Sequence, residues 1–314
     1  MTKNLLIIDH RDDQLKSMLE PIFPELTIYS VDPEDKIGDF LKDIHIIMAL
    51  GHLYNEDLVG GAPNLEWIQS LTTGTDAITG LKTLKKEVIV TSTRGVHGPQ
   101  MSEMVFLHML NLTHDYPRML RNQDKGVWER WEQPLLYKKT VAILGVGVIA
   151  EALAKRCKLF GMTVYGISST IREVEGIDKM FHRDQMADAL AEADYFVVLI
   201  PFSPETKNIV DADVFSAMKP DAFLINLSRG GVVDEDALLD TLKAERIAGA
   251  GVDVFAEEPL PAGHPFWGLK NLLITPKHGG MSNIYMEQVL PILEINLRHF
   301  LSGKTDKMIN VVEH

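Results

Sequence analysis

The chain has 314 residues, 46% of them hydrophobic and 24% charged, as in an ordinary globular protein long enough for about two domains. Its net charge of −13 argues against nucleic acid or an anionic membrane as the main partner, because both require a basic surface. The single cysteine, Cys157, excludes an internal disulfide and fits a cytoplasmic location, and the apolar N-terminal run Leu5–Ile8 is too short for a signal peptide.

Short apolar runs alternate with helical patterns along the whole sequence. The runs are Leu5–Ile8, Ile44–Leu50, Trp67–Leu71, Val88–Val90, Val141–Leu144, Val164–Ile167, Tyr195–Ile200, Phe223–Leu227, Ala248–Val252 and Leu272–Ile274. Such runs are typical of parallel strands that are buried on both faces. Segments between them, such as Ala150–Phe160 and Asp234–Ala244, are predicted to be helices. The pattern predicts an α/β protein built on doubly wound parallel sheets.

Two turn-rich breaks divide the chain. Gly95–Pro99 precedes a long apolar-periodic stretch, and Pro276–Gly280 follows the last apolar run. The section between them carries the nucleotide motif described next. We therefore predict one domain from residues 1–98 and 283–314, and a second domain, 99–282, inserted into it.

The first apolar run of the inserted domain leads into a nucleotide-binding motif. Gly145 and Gly147 are followed by Val148, Ile149 and Ala150, which gives G-x-G-x-x-A between a strand and a helix. The first glycine permits a tight turn, the second lets the backbone approach a pyrophosphate, and the small alanine lets helix and strand pack closely. We expect a dinucleotide to bind at this turn.

The end of the next strand bears on the choice of nicotinamide cofactor. An acid about 20 residues after the glycines would bind the ribose 2′-hydroxyl of NAD. This chain has Ser168, Ser169 and Arg172 in that region and no acid. Hydroxyls and a nearby arginine suit a 2′-phosphate, so NADP is expected in preference to NAD. The alternative is that Arg172 is a solvated surface residue.

An arginine follows another buried strand of the inserted domain. Arg229 comes shortly after the run that ends at Leu227, at the carboxyl edge of the predicted sheet, where α/β proteins bind ligands. Its planar guanidinium suits a carboxylate through two parallel hydrogen bonds. The alternative is a structural role at the start of a helix. No His, Cys, Asp or Glu cluster has metal-ligand spacing, so we expect no metal site.

Together these segments resemble the D-2-hydroxyacid dehydrogenase family over nearly the whole chain. The matching segments are Thr93–Gly98, Leu199–Pro201 with Pro204–Thr206, Asn226–Gly230, Val252–Pro259 and His264–Trp267. The resemblance implies a flavodoxin-like substrate domain and a Rossmann-type nucleotide-binding domain. It also implies hydride transfer between NAD(P)H and a small 2-keto acid, such as glyoxylate, hydroxypyruvate or a larger keto acid, to give a D-2-hydroxy acid.

The resemblance assigns catalytic roles to an arginine, a glutamate and a histidine. Arg229 matches the arginine, and Glu258 matches the glutamate, with Glu257 an outside alternative. At the histidine the chain departs from the family pattern, because Lys277 takes its place in an ungapped count and His278 follows. Register favours Lys277 as the general acid, whereas imidazole chemistry favours His278. Both residues remain candidates.

Other contacts are implied by the resemblance alone. The residues expected to contact the cofactor, beyond the motif, are Pro201, Thr206, Leu227, Ser228 and Asp253. The loop Thr73, Gly74 and Thr75 is expected to contact the substrate carboxylate, together with Arg229. The alternative functions are a non-catalytic NAD(P)-sensing binding protein, like the relatives that act as transcriptional corepressors, and a phosphoglycerate dehydrogenase-like enzyme.

The stretches Gln100–Thr113 and Tyr116–Trp131 carry more large apolar residues than a solvated surface needs. We therefore expect a homodimer. Within the first stretch, the stripe that includes Met101, Val105 and His108 is interpreted as core or dimer contact, and His108 as structural or exposed.

Overall fold

The computed structural model describes residues 2–10, 12–33, 35 and 37–314. It divides into two compact units: one comprises the residues up to Val96 together with Ser282–His314, and the other comprises His97–Met281. The turn-rich breaks in the sequence predicted these boundaries after residue 98 and before residue 283. The chain thus enters the second unit once and returns to the first.

Five parallel strands form the sheet of the first unit within the described residues. They are β1 (Asn4–Ile8), β2 (Thr27–Val31), β3 (Ile46–Ala49), β4 (Trp67–Ser70) and β5 (Ile89–Thr91), in the order β2-β1-β3-β4-β5. Strand β2 was not predicted from the sequence. This edge strand has only Ile28 fully buried, so it lacks the continuous apolar run by which we identified the others.

Helices bury both faces of this sheet. The helices of the first unit are α1 (Asp12–Leu19), α2 (Glu56–Gly60), α3 (Asp76–Thr79) and a long C-terminal helix, Tyr285–Leu301. Alternate residues of β1 point to opposite faces, so Leu5 and Ile7 pack in one core and Leu6 and Ile8 in the other. Apolar residues of the C-terminal helix complete the first of these cores.

Seven parallel strands form the sheet of the second unit within the described residues. They are β6 (Thr140–Leu144), β7 (Thr163–Ser168), β8 (Lys179–His182), β9 (Tyr195–Val198), β10 (Phe223–Asn226), β11 (Gly249–Val252) and β12 (Leu272–Ile274). The strand order is β12-β11-β10-β9-β6-β7-β8. The edge strand β8, in which only Phe181 is buried, was not predicted from the sequence.

The helices of the second unit cover both faces of its sheet. They are α4 (Gly98–Thr113), α5 (Tyr116–Asp124), α6 (Val148–Leu159), α7 (Met186–Glu192), α8 (Ala212–Ala217) and α9 (Glu235–Lys243), after which the C-terminal helix of the first unit is α10. The order of the strands reverses at β6, which lies between β7 and β9. Such a switch point opens a crevice at the carboxyl ends of the strands, where ligands bind.

Both sheets are thus parallel and doubly wound, and the predicted fold class is confirmed. The order β2-β1-β3-β4-β5 is the flavodoxin-like order, whereas the larger sheet has the Rossmann arrangement around β6. Across residues 2–10, 12–33, 35 and 37–314, no helix is long and apolar enough to cross a membrane.

Candidate active site

The turn from β6 into α6 contains both glycines of the nucleotide motif. Gly145 has a positive φ of 97°, and an added Cβ would lie 2.8 Å from the backbone nitrogen of Ile200, so only glycine fits there. An added Cβ on Gly147 would meet no described atom within 4 Å. The missing side chain of Gly147 therefore leaves open space at the start of α6.

The first turn of α6 borders that open space. The first N–H groups of a helix have no partner within it, and the helix dipole adds partial positive charge there. Val148 and Ile149 begin the helix, and Ala150, 1% exposed, packs inward where a larger residue would separate helix from sheet. A pyrophosphate requires free amides beside open space, and the missing side chain of Gly147 provides that space. The residues present therefore fit a dinucleotide.

The end of β7 holds the residues expected to distinguish NADP from NAD. Ser168 is half-buried and Ser169 is exposed. The Arg172 guanidinium donates to the carbonyl oxygen of Val146 at 3.2 Å and to Glu151 Oε1 at 2.5 Å. Arg172 is therefore held against the glycine turn and the first turn of α6, although its side chain remains 47% exposed.

Two loops beside the switch point are tied by their own hydroxyl groups. The buried Thr206 hydroxyl donates to the carbonyl oxygen of Pro201 at 2.8 Å and accepts from the backbone nitrogen of Ser203 at 2.7 Å. The buried Ser228 hydroxyl, which follows the buried Leu227, donates to Asn226 Oδ1 at 2.7 Å. Both hydroxyls therefore shape the loops that carry them.

Arg229 follows β10 by three residues and is half-buried. Its Nη1 donates to the carbonyl oxygen of Ser228 at 2.9 Å, which leaves the rest of the guanidinium fork to bind a ligand. Burial lowers the pKa of His97, and the nearby positive charge of Arg229 lowers it further. A neutral imidazole and a cation are therefore close together within the second unit.

Glu258 and Lys277 form an ion pair. The Lys277 ammonium donates to Glu258 Oε2, while Glu258 Oε1 accepts from the backbone nitrogen of Phe255 at 3.1 Å. The Glu258 side chain is 29% exposed and the Lys277 side chain 57%. The neighbouring Glu257 is exposed and makes no ion pair within the described part of the chain.

The two candidates for the general acid differ in their environments. The ammonium of Lys277 contacts the carboxylate of Glu258, and the Lys277 backbone is left-handed with φ 56°. The His278 side chain is exposed, and its imidazole has no hydrogen-bond partner among the residues that the structure describes. The backbone of His278 is held at both ends: its nitrogen donates to Asp253 Oδ1 at 2.9 Å, and its carbonyl oxygen accepts from the backbone nitrogen of Met281 at 2.9 Å.

Asp253, which directly follows β11, organises the loop that carries these candidates. Its carboxylate accepts from the Thr275 hydroxyl and from the backbone nitrogens of His278 and Gly279, both at 2.9 Å. Thr275 Oγ1 in turn lies 3.2 Å from Nε2 of His108 on α4. No functional role was predicted for His108, because its only signal in the sequence was a position in an apolar helical stripe.

Most residues predicted for the site thus lie on loops at the carboxyl ends of β6, β7, β9, β10, β11 and β12 of one sheet. The substrate loop Thr73–Thr75 belongs to the other unit, where it connects β4 to α3. Within that loop, the Thr72 hydroxyl donates to the carbonyl oxygen of Gly74 at 2.9 Å. In the described part of the chain, no three His, Cys, Asp or Glu side chains are grouped to hold a metal ion.

Comparison with known proteins identifies the family. The model of the NAD-binding domain of D-isomer specific 2-hydroxyacid dehydrogenases matches residues 106–279, more than half of the chain. The chain belongs to the D-isomer specific 2-hydroxyacid dehydrogenase family. The predicted enzyme class, a nicotinamide-dependent oxidoreductase that acts on a CH–OH group, is therefore confirmed.

Relatives within this family cover most of the chain. It is 31% identical to a glyoxylate reductase of Thermococcus litoralis over 90% of its length and 89% of the relative's. It is 26% identical over 98% of its length to D-3-phosphoglycerate dehydrogenase of Methanocaldococcus jannaschii, of which it spans only 59%.

Solved structures of the family have the same fold. A D-isomer specific 2-hydroxyacid dehydrogenase family protein of Aeromonas salmonicida is 32% identical, with a TM-score of 0.91 over 99% of both chains. A dehydrogenase of Xanthobacter autotrophicus, solved in complex with NADPH and MES, is 27% identical, with a TM-score of 0.86 over 99% of this chain and 98% of that one.

Proposed function

We propose that this dehydrogenase reduces a small 2-keto acid to the D-2-hydroxy acid with NADPH as its preferred hydride donor, and that Lys277 is the general acid. The observation that carries the proposal is the ion pair between Lys277 and Glu258 on the same sheet edge as Arg229. Reduction of a keto acid requires two groups from the protein. One is a cation that binds the substrate carboxylate, and the other is a proton donor, here the ammonium that is paired with Glu258.

Each of these residues has a distinct task in the proposed reaction. The guanidinium of Arg229 binds the substrate carboxylate and polarises the adjacent carbonyl group. Lys277 donates a proton from Nζ to the carbonyl oxygen, and Glu258 orients the ammonium. The nicotinamide, when bound, supplies the hydride.

The ion pair supports Lys277 over His278 as the acid. The Lys277 ammonium contacts a carboxylate that is itself fixed by the backbone nitrogen of Phe255. The His278 imidazole has no such partner in the described part of the chain, so nothing fixes its direction. Precise orientation is worth orders of magnitude in rate, so a fixed donor is the better acid.

The test of this function compares two single variants. Lys277→Ala is expected to slow keto-acid reduction by about 10²–10⁴-fold, whereas His278→Ala retains most of the activity. The exposed Lys270 provides a control, since Lys270→Ala removes a lysine outside the site.

The measurement is NADPH oxidation at about 340 nm with a panel of 2-keto acids, including glyoxylate, hydroxypyruvate and 2-ketogluconate. A large loss in His278→Ala, with Lys277→Ala close to wild type, would assign the acid to His278. No turnover with any keto acid, together with intact NADPH binding, would instead support a nucleotide-sensing protein.

NADPH is proposed as the preferred cofactor because of the region after β7. Arg172 is held beside the glycine turn, and residues 168–172 contain no acid that would repel a 2′-phosphate. The NADPH complex of the Xanthobacter relative is consistent with this choice. Gly145, Gly147, Val148 and Ile149 would bind the pyrophosphate.

The remaining predicted cofactor contacts lie around the nicotinamide end of the proposed site. Pro201, Thr206, Leu227 and Ser228 belong to the two loops that are tied by internal hydrogen bonds. Asp253 already accepts three hydrogen bonds, and a carboxylate has about four lone-pair positions. One position therefore remains for the amide of a nicotinamide.

The proposed enzyme is a cytoplasmic homodimer. Its single cysteine is buried, as suits a reducing compartment. In the second unit, large apolar side chains are exposed in and after α4 and α5, among them Leu107 (48%), Leu120 (44%) and Trp128 (93%). Large apolar side chains exposed on neighbouring elements support an interface between protein chains.

A further inference from the structure

A buried hydrogen-bonded chain links α4 to the loop that carries Lys277. It begins at His108, which is 1% exposed, and passes from Nε2 to Thr275 Oγ1 at 3.2 Å. The Thr275 hydroxyl contacts Asp253 Oδ1, and the Asp253 carboxylate holds the backbone nitrogens of His278 and Gly279. Three elements that are distant in sequence are thus joined through side chains.

The direction of each hydrogen bond in this chain follows from its end at Asp253. An ionised carboxylate only accepts, so the Thr275 hydroxyl must donate its single proton to Asp253. The Thr275 oxygen can then only accept from His108, and Nε2 must therefore carry a proton. Burial lowers the pKa of His108 to about 4, so at neutral pH the ring is neutral and Nε2–H is its single N–H group.

The second ring nitrogen of His108 shows that packing alone does not explain an imidazole at this position. Nδ1 is buried and has no hydrogen-bond partner among the described atoms. It also faces β11 so closely that an added Cβ on Gly251 would lie 2.5 Å from it. A buried nitrogen without a partner costs free energy, and a methionine would fill similar space without that cost.

We infer that His108 is a positioning residue: its Nε2–H fixes Thr275 and Asp253, and through them the loop that presents the ammonium of Lys277 to the substrate. The inference rests on the proposed role of Lys277. The loop needs such support because Lys277 has a left-handed backbone, which is unfavourable for a residue with a side chain. The neighbouring amides that Asp253 holds stabilise that conformation.

Two variants whose side chains are of similar length test the role of the Nε2–H donor of His108. His108→Gln places an amide nitrogen the same number of bonds from Cα as Nε2, whereas His108→Met fills similar space without a donor. Met109→Ala, in the adjacent core of the same helix, controls for general loss of stability. In His108→Met we expect kcat for keto-acid reduction to fall about tenfold, the effect of one lost hydrogen bond, with KM for NADPH unchanged.

The expected pattern is rescue by the conservative variant. His108→Gln should recover kcat to within about threefold of the wild type, and Met109→Ala should lower Tm but keep kcat. If both His108 variants match the wild type, or if kcat follows Tm in all three variants, the positioning role is overturned.

A second measurement does not depend on catalysis. Hydrogen exchange of the His278 and Gly279 amides should accelerate about tenfold in His108→Met but not in Met109→Ala. Unchanged exchange would overturn the inference even in an active enzyme. Accelerated exchange in a protein that reduces no keto acid would contradict the proposed function and leave the structural link in place.

Discussion

At Lys277 the left-handed backbone turns the chain between β12 and the glycine pair Gly279-Gly280. A Cβ added to Gly279 would lie 3.0 Å from both Asp253 Oδ2 and Met101 Sδ, so the loop is tightly packed at this point. Within this constrained loop, the ammonium of Lys277 contacts the carboxylate of Glu258. In the proposed site, Lys277 takes the place of the family's histidine.

Arg229 could be proposed because it follows a buried strand, whereas Glu258 and Lys277 could be proposed because they align with positions of the family's motif. The choice between Lys277 and His278 could not be made, because it depends on side-chain direction in a turn whose φ no local pattern specifies. The contribution of His108 was hidden for a similar reason, since its partners are distant in sequence.

At Arg229 we expect a loss of activity even when the charge is kept. Arg229→Lys retains a cation but loses the planar fork that binds a carboxylate through two hydrogen bonds. The value of kcat/KM should fall on the order of a hundredfold, while NADPH binding, followed by fluorescence titration, is retained. The exposed Arg246 supplies a control in Arg246→Lys, and near-normal kinetics of Arg229→Lys would remove Arg229 from the substrate site.

At the scale of elements, the segment from β6 to β7 follows directly from its sequence. The positive φ of Gly145 and the open space at Gly147 are the features that the spacing of the glycines predicts. The edge strands β2 and β8 were missed because exposed edges lack the continuous apolar pattern. The ion pair of Arg172 with Glu151 was also not predicted, because it joins two elements across the turn.

The end of β7 leads to a prediction about cofactor choice. Ser168→Asp places a negative charge where the 2′-phosphate is proposed to bind, so the ratio of kcat/KM for NADPH to that for NADH should fall at least about tenfold. The control is Ser216→Asp on α8, which introduces the same charge at an exposed serine outside the nucleotide loops. A wild type that already prefers NADH, or an unchanged ratio, would show that this region does not select the cofactor.

Helix α4 should make stability depend on pH through His108. Burial lowers its pKa from 6.5 to about 4, so between these values the unfolded chain binds a proton that the folded chain does not. The stabilisation is fully present above pH 6.5 and is lost as the pH falls through the folded pKa near 4. It amounts to about 3 kcal/mol.

Denaturant unfolding at pH 7 and at pH 4 measures this effect. We expect the unfolding free energy of the wild type, relative to that of His108→Gln, to be about 3 kcal/mol larger at pH 7 than at pH 4. Carboxylates titrate in both proteins and cancel in the difference. Parallel pH curves for the two proteins would contradict the low pKa.

At the scale of the whole molecule, the sequence indicated two domains with one inserted into the other. That layout follows from where the nucleotide motif and the turn-rich breaks lie, because both are local signals. The assembly of several chains is different, since exposed apolar residues indicate that a surface is covered but do not identify its partner. Light scattering measures the mass of the assembly directly.

We expect the protein to be a homodimer, with twice the chain mass of 35.2 kDa at micromolar concentration. Trp128→Asp, in the exposed apolar segment after α5, should shift the population towards the monomer, because an interface cannot easily bury an unpaired charge. Ile295→Asp on α10, 40% exposed and in the other unit, is the matched control. A wild-type monomer at these concentrations would rule out the dimer.

Helix α10 has a consequence for how the chain is made. The strands of the first sheet are synthesised early, whereas Tyr285, Val289 and Leu293, which cover one of its faces, are synthesised after the whole second unit. On the ribosome, the unit that is encoded first must therefore be completed last. Until α10 emerges, the apolar face of that sheet is only partly covered by α1, and nascent chains are most prone to aggregate in this interval.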